Sequence, residues 1–263
     1  MSRVHYMLDR RHVLECERMV SWSDVQADPK ATVKSMYSNL WKILPELVWA
    51  SRTPWDEILQ HMPAYQQCLD YIRHQHQNKG IVFVTGHLGN WELCGWMMSH
   101  CHSPMLSVYK QPKRRWVHDL LAAMRSSTQQ LIIEKEGALM KLYKTICRGG
   151  IIGLVIDQYG GPTGKDSQFL GRPCKSWDSA VQLAHRSKCP LMLVTLTRNK
   201  KGFDVNWTKD IGLVLDAAGQ LDATASVLKL DQSIEAMVRA YPDQWMWLGR
   251  RWGRDFDKTV AKT

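Results

Sequence analysis

Over the first 80 residues apolar side chains recur at helical spacing among polar ones. Trp22, Val25, Met36, Leu40, Ile43 and Leu44 supply that pattern, and Pro29, Pro45, Pro54 and Pro63 punctuate it. The stretch AYQQCLDYIRHQHQ places Tyr65, Leu69 and Ile72 on one helix face. The period then changes. IVFVT at 81–85, MLSVY at 105–109, QLII at 130–133, IIGLVI at 151–156 and PLMLVTLTR at 190–198 are short apolar or β-branched runs, four of them suited to strands buried on both faces. Between them the spacing predicts helices over 91–100, 115–126, 137–147 and 176–187, separated by loops that contain Gly or Pro. FDVNWT and IGLVL suit later or edge strands. A helix near 224–240 repeats Val227, Leu230, Ile234 and Met237. Strands alternating with helices of this length predict an α/β fold, a central mostly parallel sheet flanked by helices, behind an N-terminal helical portion at 1–79. No internal repeat or low-complexity linker divides the chain, so a single α/β domain over 1–263 is expected.

Composition narrows the partners. Lys plus Arg number 35 against 25 Asp plus Glu, a formal net charge of +10. That excess favours an anionic partner: a nucleic acid, a phosphorylated small molecule, an acidic carrier protein or an anionic membrane surface. The 7 cysteines have no repeated short spacing, which fits a reducing compartment better than a disulfide framework. Charges run throughout the first 20 residues, and no apolar stretch is long enough for a transmembrane helix. The 12 tryptophans are heavily used, several beside basic residues, as in QWMWLGRRWGR. Such a pattern serves extra packing and surface binding equally well.

Candidate chemistry centres on VFVTGHLGNWELCG, residues 82–95. Ligands and catalytic groups of open α/β sheets gather beyond the carboxyl ends of strands, and His87 falls just past the strand expected at 81–85. Gly86 and Gly89 permit a tight backbone path, and Asn90 can cap a helix starting near Trp91. On one continuous helix His87 and Glu92 would point about 140° apart. With His87 in the loop and Glu92 in the first helical turn, the carboxylate can meet the imidazole, hold one tautomer and stabilise the imidazolium of a general base. A histidine hydrogen-bonded in a tight turn, with Glu92 serving only the helix N-terminus, fits these two residues as well. In SHCHS, 99–103, the His and Cys residues lack a matching second ligand cluster, so no metal site is expected.

The remaining blocks bear on that choice. GHLGNWE resembles the HxxxxD/E signature of glycerolipid acyltransferases, in the form used by the bacterial lipid A late acyltransferases, the lauroyl and myristoyl transferases of endotoxin assembly. SVYKQPKRRWVHDLLAAMR at 107–125, GLVIDQYGGPTGKDSQFLGRPC at 153–174 and YPDQWMWLGRRWGR at 241–254 are similar, in order, to further blocks of that family, so the likeness spans about 80–254. The resemblance implies transfer of a fatty acyl group from an acyl thioester co-substrate, on acyl carrier protein or CoA, to a hydroxyl of a glycolipid or phospholipid. It implies no cofactor, no metal and no nucleic acid.

Carried onto this chain, the resemblance makes His87 the base and Glu92 its partner. Arg125 would meet phosphate or the carrier's phosphopantetheine, with Lys110, Lys113, Arg114 and Arg115 as a carrier or membrane surface. Asp157 and Gln158 would line the catalytic end of the sheet, Asp157 either touching ligand or organising its loop. Gly171 and Arg172 would lie near donor or acceptor recognition. Arg250 and Arg251 would meet the acceptor headgroup, accompanied by Trp245, Trp247 and Trp252 as part of a membrane or carrier surface. Gly249 stands where the family commonly has a histidine, and Gly253 replaces a basic residue, departures that concern the acceptor more than the chemistry. Family members commonly carry an N-terminal membrane anchor. This sequence shows none, so either an anchor has been removed or attachment is peripheral; the expectation is peripheral attachment at the cytoplasmic face of the inner membrane. The competing expectation is a noncatalytic protein that binds acyl carrier, lipid or nucleic acid.

Overall fold

The computed structural model describes residues 2–76, 80–100, 105–109, 130–134 and 137–253. Five helices lead: α1 (Ser2–Leu8), α2 (Arg10–Trp22), α3 (Pro29–Arg52), α4 (Trp55–Gln60) and α5 (Tyr65–His76). Asp28 caps α3 by accepting the Ala31 N–H at 2.6 Å, and Pro29 fills the first turn, where no N–H is needed. Pro45 does not end α3 as a helix break would; it lies inside it with its ring exposed.

The rest alternates strand and helix: β1 (Ile81–Thr85), α6 (Trp91–Met98), β2 (Met105–Tyr109), β3 (Gln130–Glu134), α7 (Ala138–Cys147), β4 (Ile151–Val155), β5 (Lys165–Phe169), β6 (Arg172–Ser176), α8 (Ser179–Ser187), β7 (Leu191–Arg198), β8 (Phe203–Trp207) and α9 (Ala223–Ala240). Six strands form one sheet in the order β3-β2-β4-β1-β7-β8, parallel except for β8, which runs antiparallel on the β7 edge. The fold is therefore α/β with a central sheet and flanking helices. The helix expected at 115–126 falls outside the described residues.

Central strand β1 shows why its sequence is apolar throughout. Val82 and Val84 enter one cluster with Ile152, Leu154, Val181 and Leu230, while Ile81 and Phe83 enter another with Leu93, Met192 and Val194. Successive side chains point to opposite faces, and helices cover both. The register with β4 runs from Ile81↔Ile151 to Thr85↔Val155 without a bulge.

Two local expectations change. IGLVL at 211–215 forms no strand, contributing only an isolated bridge between Leu215 and Leu221. Residues 165–176, for which no strand is expected, form the β5–β6 hairpin. KDSQF and RPCKS alternate exposed and buried positions without an apolar run, and a turn through Leu170 and Gly171 at positive φ joins them.

Candidate active site

Extending the β1–β4 register two residues past its last pair brings His87 opposite Asp157. The Asp157 carboxylate is buried and accepts three hydrogen bonds. Oδ1 accepts from His87 Nδ1 at 2.8 Å, and Oδ2 accepts from the His87 backbone N–H at 2.7 Å and from Trp245 Nε1 at 2.8 Å. Gly86 makes room, because a Cβ there would lie 3.0 Å from Asp157 Oδ2. Burial works against charge on both partners, but the pairing prevails. It holds the Asp157 carboxyl below the usual carboxylate range, helped by the indole and the backbone N–H. His87 is raised above its ordinary value by the charge and hydrogen bond of Asp157 and by the charge of Glu92. Asp157, as an ionised acceptor, requires the proton on Nδ1. The neutral ring is thereby left with its lone pair on Nε2. The His87 side chain is about one-fifth exposed, its ring set against the edge of Trp91 at 5.0 Å between centroids.

The loop carrying His87 is fixed at every turn. Met246 N–H donates to His87 O at 2.9 Å, Gly89 N–H to Gln244 O at 3.0 Å and Asn90 N–H to Leu196 O at 2.9 Å. Gly89 has φ +62, and a Cβ there would fall 1.9 Å from Leu196 O, so only glycine fits. Asn90 caps α6 by accepting the Leu93 N–H at 2.9 Å, as expected, and its amide donates to Glu46 Oε2 at 2.8 Å. Glu46 in turn holds Arg198 at 2.6 and 2.7 Å in a bidentate pair. Gln244 closes the circuit, accepting from Arg198 N–H at 2.8 Å and donating to Arg198 O at 2.9 Å. Chain segments 152 residues apart thus converge on one loop.

Against the sequence expectations, His87 and Asp157 come together, and Asp157 rather than Glu92 occupies the Nδ1 position. Glu92 sits in the first turn of α6 and acts on His87 through its charge. A constant offset along β1 and β4 was the available signal for Asp157. Nothing in local spacing pointed to Glu46, Arg198 or Gln244.

The C-terminal block changes most. Trp245, Trp247 and Trp252 are buried against one another and Phe169, and their indole N–H groups donate to Asp157, Pro242 O and Phe169 O. Each polar tip finds its acceptor inside the protein, so these rings are packing, not a membrane face. Arg251 is likewise fully buried. It pairs with Asp231 at 2.7 Å, donates to Ser176 Oγ at 2.8 Å and lies 4.6 Å over the Phe169 ring, which removes it from headgroup recognition. Arg250 is exposed. Gln158 is exposed beside Gly249, and its carbonyl receives the Arg251 guanidinium at 3.2 Å.

Arg172 donates to Trp22 O at 2.6 Å and stacks on the Trp22 ring, while Gly171 packs on Asp24. Both tie the hairpin to the α2–α3 connection, so their contacts are with the scaffold. Lys110, Lys113, Arg114, Arg115 and Arg125 lie outside the described residues. Among the described residues no three His, Cys, Asp or Glu side chains are grouped to hold a metal.

The model of bacterial lipid A biosynthesis acyltransferases matches residues 21–254. The chain belongs to that family. Acyltransferase activity and a place in lipid biosynthesis follow from this membership. The matched span takes in β1, β4 and Trp245, the three pieces that this lipid A acyltransferase relative uses to build the His87–Asp157 pair. A comparison with curated proteins finds no match.

Proposed function

We propose that one α/β unit transfers a fatty acyl group from an acyl thioester, on acyl carrier protein or CoA, to a hydroxyl of a membrane glycolipid or phospholipid, with His87 as general base. The observation that carries this reading is the buried Asp157 carboxylate at His87 Nδ1, which leaves Nε2 as an acceptor. The acceptor hydroxyl gives its proton to Nε2 as its oxygen attacks the thioester carbonyl. The tetrahedral intermediate collapses with cleavage of the C–S bond, and the departing thiolate takes the proton back from the imidazolium. Asp157 stabilises that imidazolium, and Glu92 adds a second negative charge. The exposed Arg250 is the headgroup candidate retained from the C-terminal block.

Attachment is peripheral, at the cytoplasmic face of the inner membrane. Among the described residues no helix is long and apolar enough to cross a bilayer. The test is intact-lipid mass spectrometry after incubating the protein with acyl-carrier or acyl-CoA donors and total membrane lipids. A new acylated lipid made by wild type and missing with His87→Ala, shown to be folded by circular dichroism at the assay temperature, is the expected result. Full turnover by that variant overturns the base assignment, and binding without turnover by wild type overturns the transferase reading.

A further inference from the structure

The N-terminal helices are amphipathic in an unusual sense. Along α1 and α2, which meet at Asp9, the inward positions are Tyr6, Asp9, Val13, Cys16 and Val20. The opposite positions run Val4, Met7, Leu8, Arg11, Leu14 and Arg18, all exposed, at the three- and four-residue spacing of one helix face. Met7 is 70% and Leu8 79% exposed, more than any other large apolar side chain among the described residues. Arg3 and Arg10 flank the stripe and are also exposed. Asp9 turns inward to accept from the Tyr37 hydroxyl at 2.6 Å, and its other carboxylate oxygen meets the exposed His12. An apolar stripe bordered by arginines is a poor surface for water and a good one for the boundary of an anionic bilayer, where the apolar groups enter the headgroup layer and the cations meet phosphate.

Its position connects it to His87. α1 packs on α3 through His5, whose ring meets Tyr37 and Trp41 edge-on and accepts the Trp41 indole N–H at 3.2 Å. The Trp41 ring is 42% exposed, beside exposed Lys42. The same turns of α3 touch the site from within. Asn39 donates to Asp243 O at 3.0 Å, and Ile43 O accepts from Asn90 at 3.2 Å.

We infer that the α1–α2 stripe, with Trp41 and Lys42, is the surface that docks this protein on an anionic phospholipid bilayer, seating the His87 end of the sheet at the lipid. This rests on the reading of the acceptor as a lipid, and vesicle binding is measured without turnover so that either can fail alone. The membrane contact thus lies on the N-terminal helices, not on the buried tryptophan block.

The experiment is co-sedimentation of the full chain with phosphatidylcholine vesicles and with phosphatidylcholine/phosphatidylglycerol vesicles, at low and high salt. Wild type pellets with the anionic vesicles and is largely released by salt. Met7→Glu/Leu8→Glu lowers the partition coefficient roughly tenfold or more. Arg10→Gln/Arg11→Gln lowers it about fivefold for each charge removed. Leu139→Glu/Met140→Glu, on the exposed face of α7, leaves it unchanged. Melting curves confirm that each variant is folded. Wild type that ignores anionic vesicles overturns the inference, as does undiminished binding by Met7→Glu/Leu8→Glu or an equal loss in the α7 variant. A wild-type dimer that Met7→Glu/Leu8→Glu splits, seen by light scattering, also overturns it by assigning the stripe to a second copy.

Discussion

Asp157→Asn changes one atom and tests the arrangement at His87 severely. The two carboxylate oxygens receive three donors: His87 Nδ1 on one, the His87 N–H and the Trp245 indole on the other. An asparagine has one acceptor end and one donor end. With its oxygen toward Nδ1, the new amide NH₂ confronts two N–H donors, leaving both unsatisfied in a buried place, at about 1–3 kcal/mol each. With its oxygen toward the backbone and indole, those bonds survive, but the NH₂ now donates to Nδ1. The second orientation is cheaper and should be adopted. It forces the ring proton onto Nε2, the nitrogen that must accept the substrate proton.

The variant should therefore fold and be chemically mistuned. Three charge-assisted bonds become neutral ones, a loss of roughly 1 kcal/mol each, and Tm should fall by about 10 °C. Loss of general-base catalysis should lower kcat by about 10² to 10⁴, with KM little changed because no substrate contact is removed. Steady-state acyl transfer from a carrier thioester, alongside calorimetry, measures both. Wild-type kcat in Asp157→Asn would refute the orienting role. A lost kcat with an unfolded protein would instead make Asp157 purely structural, a result that the milder Trp245→Phe variant, lacking one donor to Oδ2, would distinguish by keeping the fold and part of the activity.

Other outcomes follow from the same contacts. His87 must be neutral to act, and its value is raised, so kcat/KM should fall as pH drops through a midpoint above about 6.5. Replacing Glu92 with Gln removes one source of that rise and should move the midpoint down; an unmoved midpoint argues against charge coupling. The pair also shapes stability. His87 contributes stability that is complete below its unfolded value and is lost as pH rises through its raised folded value. Asp157 contributes stability present above about pH 4 and lost as pH falls through its depressed folded value. The Tm gap between wild type and Asp157→Asn should be widest between those limits, and a gap independent of pH would contradict the ion pair. Arg251→Ala should cost about 3–5 kcal/mol, because it strands the buried Asp231 carboxylate. Vesicle binding by the folded fraction should be unaffected, whereas selective loss of lipid binding at full stability would restore Arg251 to headgroup recognition.

The parts legible in the sequence are those that burial writes plainly. β1 and β4 are apolar through their lengths, and β7 through Val194, because helices cover both sheet faces, and the Gly86–Asn90 turn is legible because its backbone path restricts the residue types. The β5–β6 hairpin was illegible for the opposite reason: its solvent-facing alternation is polar and its turn is Leu170-Gly171, not an Asn-Gly or Gly-Gly pair. The tryptophans illustrate a different limit. A ring beside arginine suits an interface or an interior equally, and only the location of acceptors for each indole N–H decides. Glu92 drew attention by lying five residues from His87, yet the partner at Nδ1 is 70 residues away in sequence and adjacent in the sheet.

That adjacency makes the site sensitive to insertions in a specific way. His87 and Asp157 meet because β1 and β4 pair without slippage for five rungs and each chain then runs on by two residues. Between Asn90 and Ile151, residues can be added or removed in connections without altering the encounter. One residue added within 81–87 or 151–157 would either turn a buried strand face outward or move one partner past the other. The catalytic pair is indexed to the rungs of the sheet and not to distance along the chain, so in a diverging lineage length variation should collect between these two segments and be purged within them.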